Sequence, residues 1–315
     1  MSSLRAALSI FILALATAAG AAAPMSKAPQ PGYFRFMLGD FEVTAISDGT
    51  ADLPMDQLLM NVPKDKVEKA AAKAFLKLPI ETSVNGYLVN TGTKLVLVDT
   101  GAGNLFGPTL GKFVANVKAA GYQPEQVDEI YITHMHADHV GGLVSDGKLN
   151  FPNAVVRADK RDADFWLSKE NLEKADKDHK GFFQGAQAML GPYVAAGKFK
   201  AFEGDTELVP GVKAHSSYGH TAGHTTYIVE SKGQRLELWG DLMHFAAMQF
   251  ADPSVTIKFD TDPKAAAAER KKAYADAAKN GYWVAAAHLP FPGVGHLTAN
   301  GKGYTFIPIN YTAAR

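Results

Sequence analysis

The chain has 315 residues, of which 47% are hydrophobic and 20% are charged, and its formal net charge is zero. This composition is that of a globular protein with a sizeable core, and it excludes an intrinsically disordered chain. Balanced charge provides no global field that would recruit nucleic acid or an anionic membrane surface, so we expect neither as a partner and look for specificity in a local site.

Cysteine is absent from the sequence. Its absence excludes disulfides, thiolate metal sites, a cysteine nucleophile and a lipid-bearing cysteine. Any metal ligands must therefore be His, Asp or Glu.

The N-terminal segment differs in composition from the rest of the chain. Arg5 precedes an almost wholly apolar run at positions 6–18, and small residues follow at positions 19–23. This order is typical of a secretory signal peptide, and the apolar run is shorter than the roughly 20 residues that span a bilayer. We therefore predict a signal peptide at residues 1–22, with cleavage near Ala22. The mature protein would be exported, periplasmic or secreted, without further membrane contact.

Strands and helices alternate along the remaining chain. Alternating or continuous apolar residues between turn residues predict strands, and a 3.6-residue apolar period predicts helices. Strands are predicted at Phe41–Ile46, Lys94–Asp99, Glu129–Thr133, Ala154–Arg157, Thr225–Val229, Arg235–Trp239 and Trp283–Ala287, and helices at Asp65–Leu78, Pro108–Ala120, Asp162–Ala175 and Pro263–Lys279. Mixed strands and helices without a repeat or linker predict one domain over residues 23–315, of the α/β (α+β) class, with sheets packed between helices.

A His-rich loop follows the predicted strand Glu129–Thr133. His134 and His136 are two residues apart, so an extended loop directs both side chains the same way, while Asp138 and His139 turn toward a neighbouring point. Imidazole and carboxylate together suit zinc and other divalent metals. A fortuitous polar loop is the alternative, but clustered imidazoles beside a carboxylate after a buried strand favour a metal site.

Further donors stand near the ends of later predicted strands. Four ligands cannot complete two metal shells, so others must come from elsewhere in the chain. His220 lies in the run GHTAGH, whereas Asp241 and His288 each end a predicted strand. One such residue alone would be interpreted as structural. Together with the first cluster, the three indicate a metal centre.

In this order, THMHADH, GHTAGH, a strand-end Gly-Asp and a strand-end His resemble the metal signature of the metallo-β-lactamase superfamily. LVDTG is similar to the motif whose Asp, here Asp99, orients the metal loops without binding metal. The resemblance implies an αββα sandwich with the site at one edge, two divalent ions per chain bridged by Asp241, and His224 in support. The ions would be zinc, or else manganese, iron or cobalt. The implied ligands are His134, His136 and His220 for one ion, and Asp138, His139 and His288 for the other.

Nearly the whole mature chain resembles a narrower group, that of methyl parathion hydrolase and dihydrocoumarin hydrolase. Segments that carry the resemblance are GYFRFMLGDFEVTAISDGT, ETSVNGYLVNTGTKLVLVDTG, LFGPTLG, YQPEQVDEIYITHMHADHVGGL and GYWVAAAHLPFPGVGHL. Ala137 departs from it, because methyl parathion hydrolase has proline there. The resemblance implies a homodimer. It also implies an aromatic enclosure of Phe106, Trp166 and Phe183, with Leu59, His244, Ile257 and Phe259 near the metals; core packing is the alternative for any single aromatic.

These residues predict a hydrolase in which a hydroxide shared by two metal ions attacks the substrate. Asp241 would hold the ion spacing, and Asp138, or residues in contact with it, would accept and pass on a proton. An aromatic, uncharged enclosure favours a small hydrophobic aromatic ester or lactone such as dihydrocoumarin, whose phenolate, with a pKa of about 10, leaves with little proton assistance. Lactonase and arylesterase therefore rank first. An organophosphate triesterase ranks second, because His244, Ile257 and Phe259 should crowd a tetrahedral centre.

Other classes share parts of this pattern. A β-lactamase usually needs a cationic anchor for its carboxylate-bearing substrate, and none is identified. The signal peptide and aromatic pocket argue against a glyoxalase II-like thioesterase and a nuclease, and a binding protein without turnover has no reason to retain the whole ligand set. Outside the site, His179 is predicted to be exposed, and His215 and His296 are predicted to be structural.

Overall fold

The computed structural model describes residues 23–177 and 179–314, so the predicted signal peptide at residues 1–22 lies outside the described residues. The chain divides into two compact units, Met1–Gln30 and Pro31–Arg315. In the first unit, the described residues 23–30 are exposed and without helix or strand. The second unit contains all elements named below, and the extent of the domain from residue 23 stays a prediction.

The first sheet has seven strands in the order β1-β2-β4-β5-β6-β9-β10. Neighbours from β1 to β5 are antiparallel, and those from β5 to β10 are parallel. All four residues of β5, LVLV, are buried because both faces of the sheet are covered. Its strands are β1 (Tyr33–Leu38), β2 (Phe41–Leu53), β4 (Ile80–Asn90), β5 (Leu95–Val98), β6 (Glu129–Tyr131), β9 (Val155–Asp159) and β10 (Phe199–Phe202).

The second sheet also has seven strands, in the order β11-β12-β13-β14-β16-β17-β18. Its neighbours are antiparallel except for the parallel pair β14 and β16. Its strands are β11 (Thr206–Val209), β12 (Val212–Ser216), β13 (Thr225–Ser231), β14 (Gln234–Leu238), β16 (Trp283–Ala285), β17 (Val294–Asn300) and β18 (Gly303–Pro308). Two short pairs complete the strands: β3 (Leu59–Met60) with β15 (Thr256–Ile257), and β7 (Val144–Ser145) with β8 (Lys148–Leu149).

Helices connect many of the strands. They are α1 (Met55–Leu58), α2 (Lys64–Lys73), α3 (Phe113–Ala119), α4 (Ala137–Val140), α5 (Lys160–Trp166), α6 (Lys169–Lys174), α7 (Lys180–Ala195), α8 (Ala246–Gln249) and α9 (Pro263–Asn280). Short 3₁₀ turns occupy Pro124–Gln126 and Gly141–Leu143. No helix in the described ranges is long and apolar enough to cross a membrane.

Three hydrophobic clusters define the layers. One cluster lies between the sheets and combines side chains such as Val96 and Tyr131 of the first sheet with Tyr227 and Leu236 of the second. Another packs α3, α5 and α7 on the first sheet, and a third packs α9 on the second sheet. The order helix, sheet, sheet, helix confirms the predicted αββα sandwich.

The predicted helices are confirmed in part. Helix α9 begins at Pro263, where the Asp262 side chain caps two backbone N–H groups, and it ends at Gly281 in the left-handed conformation. A continuous helix from Asp162 to Ala175 is wrong, because Ser168 caps a new helix and divides the segment into α5 and α6. Helix α7 is not among the predicted elements, since Gly and Pro interrupt its apolar period.

Candidate metal centre

The predicted ligands lie where strands of both sheets end. His134 and His136 follow β6, and Asp138 and His139 stand on the short helix α4. From the second sheet, His220 lies between β12 and β13, and Asp241 and His288 follow the parallel strands β14 and β16. All seven side chains therefore converge at one edge of the sandwich.

The first group of donor atoms comes from three His residues and one Asp. His220 Nε2 lies 3.2 Å from both His134 Nε2 and His136 Nδ1. Asp241 Oδ2 lies 3.3 Å from His220 Nε2 and 3.6 Å from His134 Nε2. All four side chains are buried.

The second group comes from two Asp and two His residues. Asp241 Oδ1 lies 3.1 Å from both His139 Nε2 and His288 Nε2. Asp138 Oδ2 lies 3.5 Å from His139 Nε2 and 3.4 Å from His288 Nε2. Asp241 thus offers one carboxylate oxygen to each group, which is the bridging arrangement that the resemblance implies.

These distances fit a divalent metal ion in each group. Tetrahedral zinc with bonds of ~2.0–2.1 Å to nitrogen and oxygen separates its ligand atoms by about 3.3 Å. His139 Nε2 and Asp241 Oδ1 are buried, and neither has a hydrogen-bond partner in the described part of the chain. Buried polar atoms without partners are costly, and a metal ion in the second group would satisfy both.

Electrostatics also favours cations here. Burial lowers the pKa of His134 and His136 well below the ordinary value, so both rings are neutral. Burial raises the pKa of Asp241, but neighbouring His residues, His139 first, hold it well below its usual range. Neutral imidazole and ionised carboxylate are the metal-binding forms.

The pKa values of two other His rings reflect the negative electrostatic potential of the site. Burial lowers the pKa of His220, but contacts with Asp241 and Asp260 outweigh burial and raise it to about 9. Burial likewise opposes protonation of His288, yet the carboxylates of Asp241 and Asp138 raise its pKa to about 10. A divalent cation would replace these protons and neutralise the same potential.

Asp99 helps to fix the loop that carries His134, His136, Asp138 and His139. Its φ is +58°, and its carboxylate accepts hydrogen bonds from both the backbone N–H and the hydroxyl of Thr133 at 2.8 Å. Asp99 Oδ2 also lies 2.8 Å from His139 Nδ1, which leaves His139 Nε2 directed into the second group. Asp99 therefore contacts both the start of this loop and one of its predicted ligands, His139.

His224 supports the bridging carboxylate. Its Nε2 accepts a hydrogen bond from the Asp241 backbone N–H at 3.1 Å, and its Nδ1 lies 3.0 Å from the Ser217 carbonyl oxygen, to which it donates. Burial lowers the pKa of His224 to about 3, so the ring is neutral and can accept and donate at once.

Two supporting aspartates are not among the predicted residues. Asp260 Oδ1 lies 2.9 Å from His220 Nδ1, which fixes the ring with Nε2 toward the first group. Asp162 accepts from the backbone N–H groups of Met135 and Gly223 at 3.0 and 2.6 Å, so it joins the two His-bearing loops. Neither residue has a characteristic spacing to a ligand, and sequence offered no signal for them.

A cavity of about 90 Å³ opens beside both donor groups. Among the described residues that line it, the charged or titratable ones are His and Asp side chains of the centre, together with His244. Aromatic and aliphatic side chains form the rest of the wall. The lining residues are Ala51, Leu53, Thr82, Val84, Phe106, Leu110, His136, Asp138, Phe182, Asp241, His244, Phe259 and His288.

Three predicted substrate-binding residues line this cavity. Phe106 is 49% exposed at its rim. His244 Nε2 lies 3.0 Å from Asp241 Oδ2, and the ring of Phe259 lies 6.1 Å from that of His244. These positions place an aromatic wall directly beside the bridging carboxylate.

The other four predicted contacts require correction. Trp166 and Phe183 are buried in the cluster under the first sheet, with ring centroids 4.7 Å apart. Trp166 packs edge-on against His136, with ring centroids 5.4 Å apart. Phe182, which is not among the predicted residues, lines the cavity in place of Trp166 and Phe183. Leu59 and Ile257 pair in the short sheet of β3 and β15 and are buried in a hydrophobic cluster, so they support the wall from behind.

The remaining His residues lie outside both groups. His179 is exposed and pairs with Asp176. His215 contacts Asp205, and His296 packs on Trp283 with ring centroids 3.7 Å apart. The structure therefore agrees with the sequence in giving these three residues no place in the centre.

A family model described as the metallo-beta-lactamase superfamily matches residues 79–288, which is more than half of the chain and includes every predicted ligand. The chain belongs to the metallo-β-lactamase superfamily.

Curated proteins that are similar to this chain include lactonases. An N-acyl homoserine lactonase of Bacillus sp. is 31% identical over 165 residues, covering 46% of this chain and 58% of the relative. The N-acyl homoserine lactonase of Bacillus cereus is 27% identical over 205 residues, covering 59% of this chain and 74% of the relative. The chain thus spans less than two thirds of the length of the first of these relatives.

Solved structures of the superfamily match over a larger part of the chain. A hydrolase named AbOPH, in the beta lactamase superfamily, has a TM-score of 0.86 and 39% identity, covering 90% of this chain and 100% of its own. AidC, a dizinc quorum-quenching lactonase, has a TM-score of 0.81 and 26% identity, covering 89% of this chain and 98% of its own. The metallo-β-lactamase fold here therefore has a metal-containing lactonase among its structural relatives.

Proposed function

We propose that this protein is a metal-dependent hydrolase of neutral, hydrophobic lactones and aryl esters. One observation carries the proposal: two His/Asp donor groups joined by Asp241 open onto an apolar cavity with no Lys or Arg among its described lining residues. An uncharged apolar wall selects uncharged hydrophobic substrates. The same wall argues against a carboxylate-bearing β-lactam.

The chain would hold two divalent ions, and we propose zinc, with manganese, iron or cobalt as alternatives. His134, His136 and His220 would bind one ion, and Asp138, His139 and His288 the other, with Asp241 shared. When bound, such a pair supplies an activated water and a Lewis acid for the scissile carbonyl.

Protein groups would then position and move protons. Asp138 is the one carboxylate besides Asp241 among the described residues of the cavity wall, so it is placed to take the proton released by the attacking water and return it to the leaving oxygen. His244, at hydrogen-bond distance from Asp241, would help to fix the bridging carboxylate.

We propose aromatic lactones and phenyl esters as preferred substrates, as the resemblance to the methyl parathion hydrolase and dihydrocoumarin hydrolase group suggests. Phe106, Phe182 and Phe259 offer faces for a flat ring. N-acyl homoserine lactones are the second candidate. Two curated relatives are named N-acyl homoserine lactonases, and one structural neighbour is named a quorum-quenching lactonase.

A substrate panel tests this proposal. We expect kcat/KM for dihydrocoumarin and phenyl acetate to exceed that for methyl parathion by at least about 100-fold, because a bulkier tetrahedral centre is displaced from the in-line position by the wall. An N-acyl homoserine lactone belongs in the panel to distinguish the two lactone classes. If metal-loaded protein hydrolyses none of the lactones and esters in the panel, the proposed reaction is refuted.

Trimming the wall tests its role in substrate choice. Replacing His244→Leu and Phe259→Leu together should raise methyl parathion turnover relative to dihydrocoumarin turnover, since neither substitution removes a proposed ligand. Their rings are close enough to couple, so single and double variants need separate measurement. A ratio that does not move would contradict the pocket argument and leave the metal argument intact.

Export and homodimerisation are further proposals that rest on the sequence. The N-terminal sequence of protein recovered from a host able to export it would locate cleavage near Ala22. Light scattering on the purified protein would give the mass of the assembly. An uncleaved chain, or a monomer at micromolar concentration, would reject the respective proposal.

A further inference from the structure

We propose that a polar cavity between helix α9 and the second sheet, here called the polar site, binds a small zwitterion. A free α-amino acid such as glycine, alanine or serine is the simplest ligand of this class. The polar site has a volume of about 100 Å³, roughly that of three water molecules at ~30 Å³ each. None of its described lining residues lines the catalytic cavity, so the site is independent of the proposed reaction.

The sheet face opposite α9 is polar at this place. Where α9 packs on β16 and β17, the sheet contributes apolar side chains such as Val284 and Leu297. On the neighbouring strands β12, β13 and β14, the side chains that line the cavity include His215, Thr226 and Glu237. A helix and a sheet normally bury apolar faces against each other. The cavity that remains here instead suits water or a polar ligand.

Two buried atoms in the wall of the polar site, Glu237 Oε2 and Arg235 Nε, have no hydrogen-bond partner in the described part of the chain. Glu237 is only 3% exposed, and Thr226 donates to its other oxygen, Oε1, at 3.2 Å. Arg235 Nη2 lies 3.7 Å from Glu237 Oε2, an ion pair that is too long for a hydrogen bond. Buried polar atoms without partners are costly, and a ligand that pairs with both would remove that cost.

Tyr282 does not supply the missing donor. Its hydroxyl donates to Asp276 Oδ2 at 2.9 Å, and a phenol has one proton to donate. Burial, and after it the charge of Glu237, raise the pKa of Tyr282, so the hydroxyl keeps that proton. The Tyr282 ring contacts the guanidinium of Arg235, whose Cζ lies 4.4 Å from the ring centroid. This contact helps to hold the guanidinium in the wall of the site.

The charges of the wall match the two ends of a zwitterion. A guanidinium binds a carboxylate through two parallel N–H groups, and Arg235 has an unpaired Nε to offer as one of them. The unpaired oxygen of Glu237 can accept from an ammonium group. Because the two side chains approach within 3.7 Å of each other, the ligand must carry its opposite charges close together. A single carbon joins the ammonium and carboxylate groups of an α-amino acid, which meets this requirement.

Ions of one sign fit this wall less well. Arg235 and Lys272 would repel a metal cation, and the carboxylates of Glu237, Glu269 and Asp276 would repel a simple anion. A larger molecule would exceed the volume of the cavity. A small molecule that carries both charges avoids each of these costs.

The polar site adjoins a residue that supports the metal centre. Ser217, in the wall of the site, donates from its backbone N–H to the His224 carbonyl oxygen at 2.9 Å and accepts from His224 Nδ1 at 3.0 Å. A ligand that binds only the folded chain stabilises it. Binding should therefore raise Tm, and it can be measured without turnover.

Calorimetric titration of the parent with glycine, alanine and serine is the first test. We expect one binding site per chain with a Kd of about 1 mM or below for at least one of them, and a higher Tm in its presence. Acetate and methylammonium each carry one of the two charges. Each should bind at least about tenfold more weakly, because one end of the site stays unpaired. If none of the amino acids binds, or if acetate or methylammonium binds as tightly, the proposal is wrong.

Two variants locate the binding. Glu237→Gln keeps an acceptor for its hydroxyl partner and removes the negative charge, whereas Arg235→Gln removes the guanidinium. Each should weaken amino-acid binding at least about tenfold. Glu68→Gln, at an exposed position of α2, is the control for the first exchange. Arg161→Gln is the control for the second, because Arg161 also contacts a tyrosine ring but is exposed and does not line the polar site.

Weaker binding in both variants, with both controls equal to the parent, would uphold the polar site even in a protein that hydrolyses no lactone or ester. Unchanged binding in Glu237→Gln and Arg235→Gln would place the amino acid elsewhere, for example on the metal ions, and would overturn the proposal. If one of the two variants fails to fold, the other variant decides together with the acetate and methylammonium titrations of the parent.

Discussion

Asp241 is the residue on which both donor groups depend. Its Oδ2 belongs to the first group and its Oδ1 to the second. Its backbone N–H is held by His224, and its carboxylate is within hydrogen-bond distance of His244. A shared ligand fixed from two sides sets the separation of the two groups, which a two-metal mechanism requires.

Replacing Asp241→Ala should therefore remove both ions and reduce kcat/KM by at least about 100-fold, since loss of a supporting residue alone costs 10–100-fold at such sites. His179→Ala is the control, because His179 is exposed and outside both groups. Metal content by mass spectrometry and turnover of phenyl acetate are the measurements. Equal damage from the two exchanges would mean that the centre lies elsewhere.

His224 predicts a pH effect on stability. Its folded pKa is about 3, whereas an unfolded His titrates near ~6.5. Below about pH 6.5 the unfolded chain takes up a proton at His224 that the folded chain does not take up. The contribution of His224 to the unfolding free energy is therefore complete above about pH 6.5 and falls as the pH falls toward 3. Between pH 7 and pH 5 the fall should be about 2 kcal/mol.

His224→Gln isolates this contribution, because Gln keeps an acceptor for the Asp241 N–H and cannot be protonated. Denaturant unfolding from pH 7 to pH 5 should show the advantage of the parent over His224→Gln shrinking by about 2 kcal/mol. Parallel stability curves would show that His224 is not buried in its neutral form.

The sequence predicts the proposed metal ligands better than it predicts the residues that hold those ligands in place. His134, His136, Asp138 and His139 have a fixed local spacing in one loop, so their types and distances in sequence already indicate a metal. Asp260 contacts the His220 ring, and Asp162 accepts one hydrogen bond from each of the two His-bearing loops, all of them distant in sequence. Aspartate is a common residue, and only the folded backbone shows which ones point at a ligand.

At the scale of elements, helix α9 anchors the segment that carries His244. Arg270 of this helix is fully buried, and its guanidinium donates to the carbonyl oxygens of Leu242, Pro253 and Val255. These three bonds fix both ends of the segment from Leu242 to Val255. A buried cation with several carbonyl partners is costly to remove, because its acceptors lose their donors inside the protein.

Arg270→Leu should therefore lower the unfolding free energy by at least about 3 kcal/mol, from two or more unpaired carbonyls. Lys271→Leu, at the exposed neighbouring position, should change stability by no more than about 0.5 kcal/mol. Denaturant unfolding of both variants decides the point. A loss of less than 1 kcal/mol in Arg270→Leu would mean that the segment is held by other contacts.

Helix α7 explains why Phe182, rather than the predicted Phe183, lines the cavity. Adjacent residues of a helix point about 100° apart, so Phe182 faces the cavity while Phe183 faces the core. The rotation of a helix follows from its packing. Gly181, Gly185 and Pro192 obscure the apolar period of α7 in the sequence, and neither the helix nor its cavity-facing residue could be predicted from that pattern.

At the scale of the whole molecule, the candidate metal centre brings together residues of both sheets. Each donor group combines loops from the first sheet with loops from the second. Ions that bind only this arrangement stabilise the folded chain by mass action, by about 4 kcal/mol per site when free metal is a thousandfold above Kd.

Protein purified without chelator should contain about two divalent ions per chain. Prolonged chelation should abolish turnover and lower Tm by several degrees, and zinc, manganese, iron or cobalt should restore both to different extents. Fewer than two ions in fully active protein would contradict the dinuclear centre. An unchanged Tm after complete metal removal would contradict the coupling between the sheets.

The αββα layering could be expected from the motifs but not from periodicity alone. The predicted strands give no pairing order, and the parallel pairing of β14 with β16, which α9 separates in sequence, depends on long-range contacts that no local pattern encodes. What the sequence does encode locally is that β5 is apolar along its whole length, which is typical of a strand buried on both faces.

The span of the ligands along the chain has a kinetic consequence. The first ligand is His134 and the last is His288, so neither donor group is complete until segments more than 80 residues apart have met. Closing such long loops belongs to the late, slow part of folding. Interactions that form after the transition state act on the rate of unfolding rather than on the rate of folding. Bound ions would therefore make the folded molecule long-lived without helping it to fold, and the apoprotein would reach the native topology at nearly the same speed.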